Sequence, residues 1–149
     1  MPTLPEVPFA TTLHIRDHCL CLHLQRATRI VARRFDDALR PLDLTNGQFS
    51  LLISLNRPEP ARLGSVANLL GMDRTTLTAA LKPLERRGLI RIMVDPDDRR
   101  GRLLSLTAQG RKLLAKAVPI WREHHASLDR QTATAPSLRD DLVSLAKTA

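Results

Sequence analysis

Gly71 and Asp73 constrain this chain more than any other two of its residues. Gly71 can take the left-handed conformation that closes a helix, and Asp73 can cap the next one. The single residue between them leaves room only for a tight turn. Both flanks carry helical spacing. From Gly64 to Leu70, Val66, Ala67 and Leu70 turn inward, and small Ala67 permits a close helix crossing. From Asp73 to about Arg87, Leu77, Ala80, Leu81 and Leu84 make one apolar face. The opposite face carries Arg74, Thr75, Thr78, Ala79 and Lys82, which are polar, basic or small. Pro83 lies inside the pattern and predicts a bend or a loosened last turn.

The next segment changes period. Leu89 to Val94 alternates as a strand does, Asp95-Pro96-Asp97-Asp98 supplies turn residues, and Leu103 to Thr107 reads as the returning strand. Arg99, Arg100 and Arg102 crowd the tip, with Arg86, Arg87 and Arg91 nearby, six arginines within 17 residues. Asp95, Asp97 and Asp98 offset part of this charge, and one of them is expected to pair with an arginine and hold the hairpin in shape. Helix, turn, helix and hairpin in this order predict a winged helix-turn-helix, in a fold that is mainly α with a small β-hairpin wing. A helix with so light a basic face fits a DNA major groove, roughly 12 Å wide.

Charge and composition point the same way. A formal charge of +8 suits a polyanionic partner, because neutralised phosphates release condensed counterions. Three Phe, one Trp and no Tyr leave the core to aliphatic residues and supply few rings for stacking on RNA bases. No nucleophile elbow, glycine-rich phosphate loop or paired-carboxylate motif suggests an enzyme, and no cofactor is expected. The N-terminus lacks the basic and apolar regions of a signal peptide. No uncharged run approaches the roughly 18 residues of a membrane span, and two cysteines are too few for a disulfide scaffold. These features predict a cytoplasmic protein with no membrane partner.

The flanks of the central unit are helical. After a leader to about Thr12, residues 13–40 form one predicted helix with Leu20, Leu24, Ala27, Val31, Phe35 and Ala38 in a buried stripe, ended by Pro41. Such a helix spans about 42 Å, too long for a lone domain of this size to cover, so a second copy of the chain is the expected partner. Thr45 and Gln48 are spaced as a capping box for a helix running to Arg57, apolar along Phe49, Leu52, Ile53 and Leu55, before the proline loop that follows. Thr107 should cap a helix to about residue 130 whose apolar face includes Leu113, Leu114, Ala117, Ile120, Trp121, His124 and Leu128, kinked at Pro119. A last helix, Ser137 to Lys147, presents Leu138, Leu142 and Leu145. The expected organisation is a DNA-binding lobe over 42–107 between dimerisation helices at 13–40 and 108–149.

Three stretches resemble the MarR-type winged-helix regulators: LLGMDRTTLTAALKPLERRGLI, the helix-turn-helix; DPDDRRGRLLSLTAQG, the wing signature of Asp-x-Arg followed by Leu-Thr-x-x-Gly; and LRPLDLTNGQFSLL, the first helix junction. The likeness runs from about Leu20 to Leu145. It implies a homodimer with interlocked terminal helices, two recognition helices in successive major grooves of a palindrome, and wings in the flanking minor grooves. It further implies transcriptional repression, relieved by a small phenolic or other lipophilic ligand or by oxidation. Arg74, Thr75, Thr78, Ala79 and Lys82 match the recognition face, and Arg99, Arg100 and Arg102 the wing. Gly64 and Ser65 match the start of the preceding helix, whose backbone donors suit a phosphate. A nucleoid-type binder with little sequence choice is the alternative.

Regulation has three candidate seats. The resemblance places Cys21, eight residues before Arg29, at the peroxide-sensing position of the organic-hydroperoxide branch, but Phe35 and Asn46 stand where that branch has tyrosines. Cys19 and Cys21 point to nearly opposite sides of a helix and should not join each other. His14 and His18, four apart, could meet His124 and His125 across a dimer to hold zinc, although five scattered histidines more often make surface contacts or line a pocket, so no metal site is assigned. For a small aromatic or lipophilic ligand, the expected walls are His18, Gln25, Phe49 and Trp121.

Overall fold

The computed structural model describes residues 6–147, and the chain divides into two units, Met1–Arg34 and Phe35–Ala149. The predicted helix over 13–40 is two helices. α1 (Phe9–His18) begins earlier than expected, so the leader ends before Phe9, and the expected leader's first five residues lie outside the described range. α1 stops where Cys19 turns extended, with ψ of 108°, and α2 (Leu20–Leu39) follows. A single 3₁₀ turn at Arg40–Leu42 contains Pro41. The stripe predicted along this segment is buried only at its far end. Phe35 and Leu39 are buried and Leu24, Val31 and Ala38 half-buried, while Leu20 and Ala27 stay exposed.

Within the second unit the capping box of α3 (Asn46–Ser54) forms as predicted: Thr45 Oγ1 accepts the Gln48 N–H and Gln48 Oε1 accepts the Thr45 N–H, both at 3.1 Å. α3 ends at Ser54 rather than Arg57, because the N–H groups of Leu55 and Asn56 turn back to the carbonyls of Leu52 and Ile53. Ile53, expected inward, is exposed, and Leu51 is buried. The proline loop leads into a strand that sequence patterning missed. β1 (Ala61–Arg62) is two residues long and runs directly into α4 (Leu63–Leu70). Gly71, at φ 64°, closes α4, and Met72 N–H reaches the Ala67 carbonyl at 2.9 Å. Asp73 caps α5 (Arg74–Arg86) by accepting the Thr76 N–H at 2.8 Å. α5 runs on through Pro83 as a helix to Arg86.

β2 (Ile90–Asp95) and β3 (Asp98–Leu106) form the hairpin, and β1 adds to the other side of β3, so the sheet is antiparallel in the order β1-β3-β2. β1 sets Ala61 opposite Leu104 and Arg62 opposite Leu103. The ladder is regular from Ile90 opposite Leu106 to Val94 opposite Arg102, then slips, with Asp95 opposite Asp98. Arg99, Arg100 and Gly101 are thus extra residues bulged from β3, and the arginines expected at the hairpin tip lie on the strand beyond it. Leu77, Leu81 and Leu84 of α5 are fully buried with Leu39, Leu52, Val66 and Leu104, which joins both helices and the sheet in one aliphatic core.

A clamp at residues 88, 89, 107 and 110 fixes the end of α5 to the start of α6 (Ala108–Gln131). Gly88, at φ 69°, allows Leu89 N–H to bond the Leu84 carbonyl at 3.0 Å. Thr107 donates its N–H to the Leu89 carbonyl at 3.0 Å and its hydroxyl to the Gly88 carbonyl at 2.6 Å, and Oγ1 caps α6 by accepting the Gly110 N–H at 3.0 Å. Any Cβ at Gly110 would lie 2.0 Å from the Leu89 carbonyl oxygen. α6 continues through Pro119, and Leu114 and Ala117 are buried. His124, placed by periodicity on the apolar face, is exposed; His125 is half-buried instead, its ring 4.6 Å from Trp121 and 6.0 Å from Phe35. α7 (Ala135–Lys147) starts two residues before the expected Ser137 and leaves Leu138, Leu142, Val143 and Leu145 exposed. No helix among the described residues is long and apolar enough to cross a membrane.

Candidate nucleic-acid interface

α5 can present a polar face because its three leucines seat the opposite side in the core. Arg74, Thr75, Thr78, Ala79 and Lys82 are all exposed. Thr78 donates its hydroxyl to the Arg74 carbonyl at 2.7 Å, so toward solvent it offers a methyl group and oxygen lone pairs rather than a donor. Such an edge suits a thymine methyl or an amino group of a base. The helix start is held by Asp73, whose carboxyl lies below its ordinary range because it accepts the Thr76 N–H and the Thr76 hydroxyl. A lowered carboxyl value means that this cap stays intact above the unfolded value and is lost only as the pH falls through the folded one.

A cleft of about 620 Å³ joins α5 to the wing. Its walls are Gly64 and Ser65 at the start of α4, Arg74 and Thr78 on α5, Arg100 and Arg102 on β3, and Arg62, Asp95 and Asp98 between them. Of the ten residues expected to touch DNA, the cleft gathers these six. Thr75, Ala79 and Lys82 lie along the exposed face of α5, and Arg99 is exposed on β3 outside the cleft lining. The Arg74 guanidinium lies over Gly64, where a Cβ would come 2.8 Å from Nη2. Arg102 folds back on the bulge, with Nη1 donating to the carbonyls of Arg99 at 3.2 Å and Gly101 at 3.0 Å.

The expected aspartate–arginine pair exists, but its arginine comes from another element. Asp95 is buried, and its partner is Arg62 of β1, Nε to Oδ2 at 3.7 Å. Arg62 escaped the sequence reading because two residues after a proline loop carry no strand signal. Arg87 departs from the predicted footprint in the opposite direction. It is half-buried and donates to the carbonyls of Asp43 at 2.6 Å and Leu42 at 3.4 Å, so it fastens α5 to the turn before α3.

Phe49 and Trp121 stack with centroids 6.4 Å apart and share a pocket of about 420 Å³ with Ile53, Leu69, Val118 and Arg122. His18 and Gln25 belong to the N-terminal unit and are exposed; His18 Nδ1 bonds the His14 carbonyl at 2.8 Å. Cys21 is exposed and its Sγ accepts the Gln25 amide at 3.1 Å, whereas Cys19 is half-buried. Among the described residues no three His, Cys, Asp or Glu side chains are grouped to hold a metal ion.

Helix, glycine turn, exposed helix and basic three-stranded wing define a winged helix-turn-helix protein. The sequence profile of the MarR family matches residues 44–101. The organic hydroperoxide resistance transcriptional regulator of Bacillus subtilis (strain 168) is 34% identical over 101 residues, 68% of this chain and 69% of that protein. The M. tuberculosis transcriptional regulator MosR, solved in complex with DNA, superposes with a TM-score of 0.81 at 37% identity over 88% of this chain and 96% of that one. CouR from Rhodococcus jostii RHA1, solved with p-coumaroyl-CoA, gives 0.74 at 27% identity over 87% and 93%. The chain belongs to the MarR family, and it is a DNA-binding transcriptional regulator rather than an enzyme.

Proposed function

We propose that this protein is a repressor that binds a palindromic operator as a homodimer and leaves it when a small ligand binds. The observation that carries the reading is the cleft in which the start of α4, the exposed face of α5 and the wing arginines meet. Phosphate contacts from Arg99, Arg100, Arg102 and the α4 backbone supply most of the affinity, and Arg74, Thr75, Thr78, Ala79 and Lys82 supply the sequence choice. Paired through the segments 13–40 and 108–149, two copies set their recognition helices about one DNA turn apart. The ligand enters beside Phe49 and Trp121 as a small aromatic or lipophilic molecule, a reading supported by CouR, which was solved with p-coumaroyl-CoA.

Replacing Arg99 or Arg102 by Ala is expected to weaken binding to all duplexes alike and to lower the salt slope by about one per lost phosphate contact, as read by fluorescence anisotropy across a salt series. Unchanged slopes in both variants would remove the wing from the interface. Substitutions at Thr78 or Lys82 should instead change the ranking of operator variants. Competition with unrelated DNA separates a specific regulator, about 10³-fold or more selective, from a nucleoid-type binder.

A second reading is favoured by Cys21, which is exposed, fixed by the Gln25 amide, and part of a chain related to a hydroperoxide-resistance regulator. In that case an organic hydroperoxide releases the DNA and Cys21→Ser abolishes the response, whereas an aromatic acid acts equally on both proteins.

A further inference from the structure

Arg62 belongs to none of the motifs that mark this interface, yet three features place it there. β1 sets it opposite Leu103, beside Arg102 on the wing. It lines the cleft together with Gly64, Ser65, Arg74 and Arg100. Its side chain is 70% exposed, although its partner Asp95 is only 6% exposed. The other Asp95 oxygen accepts the Asp97 N–H at 2.9 Å, which fixes the carboxylate at the base of the wing turn.

A salt bridge with one partner in water contributes little to folding, and a buried carboxylate is costly to strip of water. Stability therefore gives a weak account of the pair. A carboxylate in a cleft that meets phosphates is also unfavourable by charge alone. Both costs are explained if Asp95 holds a guanidinium in the path of the DNA backbone. Asp95 approaches Nε, so the terminal N–H groups of Arg62 remain for an outside anion.

We propose that Arg62 is a further contact to the DNA phosphates, joining the start of α4 to the wing, and that Asp95 is the positioning residue that aims it. This deepens the DNA-binding reading above and rests on it. The charge of Asp95 gives the proposal a distinctive sign. If Asp95 were only a negative charge in the cleft, removing it would tighten DNA binding; as the group that aims Arg62, its removal weakens binding.

The test uses a labelled duplex enriched by the wild-type chain from a random-sequence pool, titrated across salt, with thermal melts of every variant. Arg62→Ala is expected to bind several-fold more weakly with the salt slope lowered by about 0.9, and Arg62→Lys to keep the slope. Asp95→Asn is expected to weaken binding in the wild-type background and to cause no further loss beside Arg62→Ala. If Asp95→Asn melts below the assay temperature, Asp95→Glu keeps the charge, displaces it, and is expected to weaken binding likewise. An unchanged slope in Arg62→Ala, or tighter binding by Asp95→Asn, overturns the inference. Failure of the wild-type chain to enrich any duplex overturns the DNA-binding reading itself.

Discussion

Two glycines at the edges of the reading unit are crowded for different reasons, and they should fail differently. A methyl group at Gly64 would meet the far end of Arg74, a side chain that can swing away, whereas one at Gly110 would meet the backbone carbonyl of Leu89, which cannot. Gly64→Ala is expected to leave the melting temperature nearly unchanged and to weaken DNA binding several-fold, because the displaced guanidinium belongs to the proposed interface. Gly110→Ala should cost about 3 kcal/mol, measured by urea unfolding, with any loss of DNA binding following from the loss of fold. Equal stability of the two variants would contradict the geometry of the clamp. The sequence displays both glycines, and Gly110 even ends the wing signature. What it cannot display is the carbonyl that forbids a side chain there, because Leu89 is 21 positions away.

At the scale of elements, α5 is positioned by a cap, a core face and one cross-link. The cap at Asp73 and the leucine face were legible from spacing alone, since both depend on neighbours three or four residues apart. The cross-link was not. Arg87 sits in an arginine-rich run and reads as part of its basic footprint, yet its bonds to Asp43 and Leu42 span more than 40 positions. Arg87→Ala is therefore expected to lower stability by about 1–2 kcal/mol and to leave the salt slope of DNA binding intact, the reverse of the pattern expected for Arg102→Ala. A reduced slope without a stability loss would return Arg87 to the interface. β1 was illegible for a related reason: two residues have no period, and only the β3 backbone makes them a strand. On α6, His124 and His125 are adjacent, and periodicity chose the wrong one: it is the His125 ring that meets Trp121 on its own helix and Phe35 of α2.

At the scale of the molecule, apolar side chains stand exposed at both ends of the chain: Phe9, Ile15, Leu20 and Leu22 before the DNA-binding unit, and Leu138, Leu142, Val143 and Leu145 after it. The helical pattern announced Leu20, Leu138, Leu142 and Leu145, but not Phe9, which fell in the expected leader, nor Ile15, Leu22 and Val143, and α2 buries only the end of its stripe. A second copy of the chain is the expected cover. Light scattering should then give the mass of a dimer, and the melting temperature should rise with protein concentration. Leu142→Asp is expected to shift the mass toward a monomer and to abolish tight operator binding while sparing the fold of residues 35–114. A monomeric wild-type chain with full operator affinity would refute this arrangement.

The clamp formed by Gly88, Leu89, Thr107 and Gly110 also has a mechanical consequence. Because the end of α5 and the start of α6 share those bonds, α6 is a lever whose near end is bolted to the reading helix. Trp121 lies 14 residues along that lever, about 21 Å from the bolt. Pro119, which has no N–H to donate, lies between Trp121 and the bolt, so only a displacement on the near side of that proline is passed rigidly to the end of α5.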